Sequence, residues 1–183
     1  TIDVGFYSRD TVRAEVDRIR SELVPFEDKA IVFFGLGMKM DLGELSSLPL
    51  WDSHDCFFLT SSNTKVHHPN VVQIPDGYND TQNYIAAADL VITKAGWGTV
   101  AEAAVSGTSL LIVDRQSMRE DQNTINYIHK HRLGRTVNWE QLKTMKLDKE
   151  VIDSMKMSTN VVRENLSNEK EKMAKRILNI LNS

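Results

Sequence analysis

Cysteine is nearly absent from this chain: Cys56 stands alone among 183 residues. One thiol excludes an internal disulfide and is compatible with a reducing compartment. Its setting in "HDCFFLT" reads as a buried strand, which assigns it to packing rather than to nucleophilic chemistry. Long apolar runs are missing too. None approaches the ~20 residues that a membrane-spanning helix needs, and the opening residues do not read as a secretory leader. Nor does one sign of charge dominate. Lys plus Arg number 22 against 25 Asp plus Glu, a formal charge of −3. That balance supplies no polyanion-attracting field, and no local basic stripe stands out, which argues against nucleic-acid binding.

Other absences narrow the chemistry. Ser106 and Ser109 lack a G-x-S-x-G context, so a hydrolase elbow is unsupported. His67 and His68 in "KVHHPN" are adjacent on an extended segment and point apart, which suits a loop better than a metal pair. "HKHR", His129 to Arg132, falls at a helix C-terminus, where positive charge complements the dipole. There are no internal repeats and no low-complexity linkers.

What is present is an ordinary globular composition, 41% apolar and 26% charged, at a length that suits one domain. The chain opens on "TIDVGFYSRDTVRAEV" without an initiator Met. The expectation is a piece of something longer, although tag removal or processing leaves the same start.

Apolar residues at Val12, Val16, Ile19 and Leu23 have helical spacing, and Pro25 closes that helix. "AIVFFG" follows as a short continuous apolar run, typical of a strand covered on both faces. The pattern returns in "DCFFLT", "NVVQIP", "DLVITK", "SLLIVD" and, more weakly, "GRTVNW". Helices are expected between these runs. One is short, Asp41 to Leu48; another, Asp80 to Ala88, follows Asn79 as its N-cap. Val100 to Ser106 closes at Gly107, and Glu120 to Leu133 at a C′ Gly134. The alternation predicts an α/β fold, a Rossmann-like parallel sheet of about six strands with helices on both faces. Right-handed crossovers would set every strand-to-helix corner on one edge, where such folds bind ligands. From Trp139 the pattern becomes helix alone. "NWEQLKTM" is capped by Asn138, and a helical C-terminal tail aligns Met173, Ile177, Leu178 and Leu181 on a face expected to pack on the domain, at a seam with a missing partner.

The informative corner is "TKAGWGTVAEA". Gly96 and Gly98 bracket the turn between a strand ending near Thr93 and a helix starting near Gly98. Glycine permits positive φ and a close backbone approach to a ligand. The helix start offers unpaired N–H groups and roughly half a positive charge, an anion site suited to a diphosphate. Thr99 adds a hydroxyl. Glu102, three residues beyond Thr99 and four beyond Gly98, shares their helix face. A carboxylate there would repel the diphosphate yet accept hydrogen bonds from a vicinal diol such as a ribose. A solvated glutamate beside a merely structural corner fits the spacing equally, and at this point both readings stand. Trp97 can cover a ligand or pack inward; Tyr78 and Trp51 read as packing residues.

This stretch resembles the donor-binding signature of GT-B glycosyltransferases of the family 28 type, which includes monogalactosyldiacylglycerol synthases and the lipid-II-forming N-acetylglucosaminyltransferases. The likeness extends through "VVQIPDGYNDTQNYIAAADLVITKAG" and "EDQNTINYIHKHRLG", where Gln122 and Asn126 keep a four-residue spacing, and more loosely through "IVFFGLGMK". It implies that Gly96, Gly98 and Thr99 hold a diphosphate and Glu102 the ribose hydroxyls. It further implies that Gln122 and Asn123 contact the donor sugar, and that the loop Ile74, Pro75, Asp76, Gly77 lies against the nucleobase. Gly35 and Gly37 would line the cleft, and Lys94 would approach a phosphate. Asp114 stands where a proline is common, the segment to Gln122 is one residue longer, and Gln116, Ser117 and Met118 offer no counterpart to a frequent His or Phe. The sugar is therefore left unassigned.

On this resemblance, residues 1–183 form a single nucleotide-sugar-binding domain, the C-terminal half of a longer two-domain protein. The N-terminal half would carry the catalytic base and the acceptor site, so this piece alone is expected to be inactive. The implied reaction is inverting transfer of a hexose or N-acetylhexosamine from a UDP-sugar to a lipid or polysaccharide acceptor, with no metal and no cofactor. The implied location is cytoplasmic, with membrane association through the acceptor domain. Two rivals keep the fold: a sugar-nucleotide epimerase or hydrolase, and a stand-alone donor subunit that joins a separate chain.

Overall fold

The computed structural model describes residues 5–23, 29–37, 45–115, 119–160 and 168–182. The chain runs α1 (Arg13–Glu22), β1 (Ala30–Gly35), a 3-10 turn (Pro49–Asp52), β2 (Cys56–Thr60), β3 (Val71–Gln73), α2 (Gln82–Ala87) and β4 (Leu90–Lys94). It continues through α3 (Trp97–Ser106), β5 (Ser109–Asp114), α4 (Arg119–Lys130), β6 (Gly134–Asn138), α5 (Trp139–Thr144), α6 (Lys149–Asn160) and α7 (Lys170–Leu181). All six anticipated strands form, and they make one parallel sheet in the order β3-β2-β1-β4-β5-β6.

The apolar runs alternate between two cores. Ile31, Phe33, Phe57 and Leu59 face α1 to α4, whereas Val32, Phe34 and Phe58 face the 3-10 turn, α5 and α6. Each fully buried side chain of this size contributes about 1.5–3 kcal/mol, so both faces are committed. Trp51 is buried and donates its indole N–H to the Leu45 carbonyl at 2.7 Å. Cys56 is wholly buried, and loss of solvent around its thiol pushes the pKa up to about 12.

The strand order reverses direction between β1 and β4. In doubly wound sheets the crevice beyond the carboxyl ends of two such strands is where ligands bind. Here those ends carry Gly35-Leu36-Gly37 and Lys94-Ala95-Gly96.

Several expected details are corrected. Asn79 is not the cap of α2, which starts at Gln82; its carbonyl is used elsewhere. Gly134 is not a helix C′ residue but opens β6, and a Cβ there would lie 2.3 Å from the Leu110 carbonyl oxygen. The positive φ near the end of α4 belongs instead to Arg132, at 51°. Gly107 does close α3 in the left-handed region, at φ 78°. Asn138 caps α5 through a reciprocal bond with Gln141, as its sequence suggested.

The last helix departs most. None of its side chains is buried, and Leu178 and Leu181 are 57% and 75% exposed, so α7 does not pack its apolar face on the domain. The first half of the anticipated helix 41–48 falls outside the described residues, as do Pro25 and 116–118. Among the described residues, no helix is long and apolar enough to cross a membrane.

Candidate functional site

At the switch point the two glycine-bearing strand ends are stitched together. Thr93 Oγ1 donates to the Gly35 carbonyl at 2.8 Å, and Gly37 adopts φ 80°, a conformation that favours glycine. A Cβ on Gly37 would sit 3.0 Å from Lys94 Nζ. The lysine ammonium thus lies close over Gly37, where an added side chain would press on it. It makes no hydrogen bond or ion pair with a described residue, so its charge is available to a ligand.

Helix α3 begins immediately beyond. Its N-cap is Gly96, which has no side chain to satisfy the first N–H groups, and no acidic residue lies in the first turn. Neither Gly96 nor Gly98 uses positive φ, so the conformational reason expected for them does not apply. What they supply is room. A Cβ on Gly98 would meet no described atom within 4 Å, and one on Gly96 only the Lys94 side chain at ordinary contact distance. Packing requires a side-chain-free surface at neither position. Thr99 sits part-exposed in the same first turn.

Beside this helix start lies a cavity of about 520 Å³ between the β4–α3 corner and α4. Lys94, Gly96, Trp97, Asn123 and Tyr127 line it, together with an ion pair that the sequence did not announce. Asp121 is 3% exposed, and Arg115 reaches both its oxygens at 2.8 Å. The pairing raises the Arg115 pKa, chiefly through this hydrogen bond, and is the strong two-pronged form of a charged contact. Gln122 does not line the cavity. It is exposed, with Nε2 3.4 Å from Asp114 Oδ1.

Trp97 packs partly inward while remaining 36% exposed. Its ring lies 4.8 Å from Phe6 and 6.4 Å from Tyr127. Phe6 belongs to an N-terminal strap, residues 5–12, laid over the α2–α3–α4 face. Glu169 accepts from Gly5 N at 2.9 Å, Asn168 bonds both backbone groups of Ser8, and Asn83 Oδ1 accepts from Val12 N. The Glu169 pKa is lowered by Lys172 first and then by the Gly5 N–H.

Glu102 does not line the cavity, and it is not simply open. Its side chain is 12% exposed, and Arg9 of the strap donates to Oε1 from Nε at 3.1 Å and from Nη2 at 2.9 Å. Arg9 also donates to the Asn79 carbonyl at 2.6 Å and to Thr81 Oγ1 at 3.2 Å. The turn before these residues holds the other expected ligand contacts. Ile74 is buried, with its N–H on the Thr60 carbonyl; Pro75 and Gly77 are exposed. Tyr78 N closes the turn on Pro75 O, and Gly77 supplies the positive φ, 84°, that a type II turn needs. Tyr78 itself packs on Tyr84 and donates its hydroxyl to Glu15.

Thus Gly35, Gly37, Lys94, Gly96 and Asn123 converge on the switch point and its cavity. Gly98 and Thr99 form the helix mouth, and Glu102 is joined through Arg9 to Asn79 and Thr81, in the segment after the Ile74–Gly77 turn. Arg9 and Arg115 are the residues that sequence reasoning missed. No local signal marks Arg9, whose partner is 93 positions away. Among the described residues, no group of three or more His, Cys, Asp or Glu is placed to hold a metal ion.

A family model described as "Glycosyltransferase family 28 C-terminal domain" matches residues 59–179. Among solved structures, the glycosyltransferase SnogD from Streptomyces nogalater is 14% identical with a TM-score of 0.60, covering 82% of this chain and 43% of its own. CalG4, the calicheamicin glycosyltransferase, is 14% identical with a TM-score of 0.61 over 85% of this chain and 44% of its own. UGT89C1 of Arabidopsis thaliana, solved with UDP, is 15% identical with a TM-score of 0.60 over 93% of this chain and 48% of its own. The chain spans less than half the length of each.

Proposed function

This chain belongs to the glycosyltransferase family 28 C-terminal domain family, and from that premise we propose that it binds a UDP-sugar as the donor half of a transferase. The observation that carries this reading is the clear ground at the mouth of α3. There the fold leaves open space at Gly98, a helix start without a side-chain cap, and a Lys94 that has no partner among the described residues.

Each element has a task. The first N–H groups of α3, with Thr99, hold the diphosphate, and Lys94 neutralises part of its charge. The nucleobase lies along the Ile74–Gly77 turn, and Glu102 accepts from the ribose. The sugar enters the cavity beside Asn123, with Gln122 at its rim. In the full-length protein an acceptor hydroxyl attacks the anomeric carbon from the face opposite the diphosphate, giving inversion. The bond from that carbon to the phosphate oxygen breaks, and the electron pair leaves with UDP. Donors already aimed at the departing diphosphate stabilise charge as it develops, without reorganising. The base that takes the hydroxyl proton, and the acceptor itself, belong to a preceding domain. The UDP complex of UGT89C1 supports the choice of nucleotide.

Titration calorimetry with UDP tests the reading. Binding is expected, with Lys94→Ala weakening UDP more than it weakens uridine. No heat of binding at millimolar UDP would overturn it.

A further inference from the structure

The Arg9–Glu102 contact has an unusual form. An arginine meeting a carboxylate ordinarily sets two N–H groups against two oxygens. Here both bonds to Glu102 fall on Oε1, at 3.1 and 2.9 Å, and Oε2 has no hydrogen-bond partner among the described residues. Two further guanidinium N–H groups go to the Asn79 carbonyl and the Thr81 hydroxyl, and Asp80 Oδ1 lies 3.8 Å from Nη1. One planar group therefore joins three parts of the chain: the strap, the segment that follows the Ile74–Gly77 turn, and the acid on α3.

Resting on the donor-site reading above, we propose that Arg9 is a positioning residue for nucleotide recognition. It pins one oxygen of Glu102 so that the other is presented to the ribose hydroxyls, and it fixes the distance between that acid and the turn that faces the base. Lysine cannot substitute, because an ammonium lacks the rigid fork that reaches three partners in fixed directions. The strap is held independently of Arg9 by Phe6, which is 1% exposed, and by the Glu169 and Asn168 bonds, so replacing the guanidinium leaves the backbone path anchored.

The test is calorimetric titration of the full-length protein with UDP and with 2′-deoxy-UDP, using wild type, Arg9→Lys, Arg9→Ala, Glu102→Ala and the Arg9→Ala/Glu102→Ala double variant. Circular dichroism melts check that each is folded. Wild type should prefer UDP over the deoxy compound by about tenfold. Both Arg9 variants should lose most of that preference while 2′-deoxy-UDP affinity changes little, and the double variant should bind no worse than Glu102→Ala alone. A merely structural arginine would lower both affinities together, which overturns the proposal. Tighter UDP binding by Arg9→Ala also overturns it, since Arg9 would then be a plug competing with the ribose. If wild type binds neither compound, the donor-site reading fails and the proposal with it; wild-type binding with unaltered discrimination in the Arg9 variants defeats the proposal alone.

Discussion

Replacing Gly98 by alanine should make the protein more stable and a poorer nucleotide binder at once. Gly98 is the second residue of α3, its φ is not positive, and an added Cβ would meet no described atom within 4 Å. Nothing among the described residues resists the methyl group, and glycine in a helix costs up to about 1 kcal/mol relative to alanine, less near the first turn. A gain of about 0.5 kcal/mol corresponds to a rise in Tm of roughly 1–2 °C for a chain of this length. With ligand the order should reverse. UDP at 100 times its Kd stabilises wild type by about 2.7 kcal/mol, whereas a tenfold weaker variant gains about 1.4 kcal/mol. After the intrinsic gain, the variant should then melt about 2 °C below wild type. Thermal denaturation with and without saturating UDP therefore gives two curves that exchange places. Gly98→Leu should widen the crossing, because the longer side chain blocks more of the helix mouth. If Gly98→Leu binds UDP as wild type does, the empty space is not ligand space, and the assignment of the helix start fails.

Gly134→Ala should act in the opposite sense: its Cβ would lie 2.3 Å from the Leu110 carbonyl oxygen, so forcing the strands apart should cost about 1–3 kcal/mol. A lowered urea midpoint with UDP affinity intact in the folded fraction is expected, and an unchanged midpoint would contradict the close β5–β6 approach. Cys56 is wholly buried, with its pKa pushed up to about 12. At pH 8 a maleimide should label it only at the rate of unfolding, and fast labelling of native protein would place the thiol outside the core. The Glu169 carboxyl, lowered from its ordinary 4.5, favours the clasped strap above that pH and loses this contribution as pH falls through the folded value. Acid titration below 4.5 should release Gly5 and Phe6 and change Trp97 fluorescence, and Glu169→Gln should remove the part of the change due to this group.

Strands were legible because a sheet covered on both faces demands continuous apolar runs, and "AIVFFG" or "SLLIVD" can hardly be anything else once turns flank them. Caps were legible only where the side chain does the capping. Asn138 bonds the start of its own helix, whereas Asn79 lies three residues before Gln82, where α2 begins. Gly134 looked like a helix stop in one dimension and proved to be a close approach in three. The candidate site divides along the same line. Gly96, Gly98, Thr99 and Glu102 follow from spacing along one helix, but Arg9 above Glu102 and Arg115 on Asp121 depend on where loops return. On α7 the apolar residues recur at helical spacing yet none is buried, because periodicity says which residues share a face and not what that face meets.

Glu169 and Asn168 hold Gly5 and Ser8 across some 160 positions of sequence, so the opening segment and the final helix work as a buckled belt. Neither end can peel away by itself. Fraying of α7 slackens the clasp, the slack runs to Phe6, and the next ring in line is Trp97 at the first residue of α3. Hydrogen exchange at Gly5, Ser8 and Lys170 should accordingly quicken in step when the Asn168 side chain is removed, as knots on one cord rather than as separate loose threads.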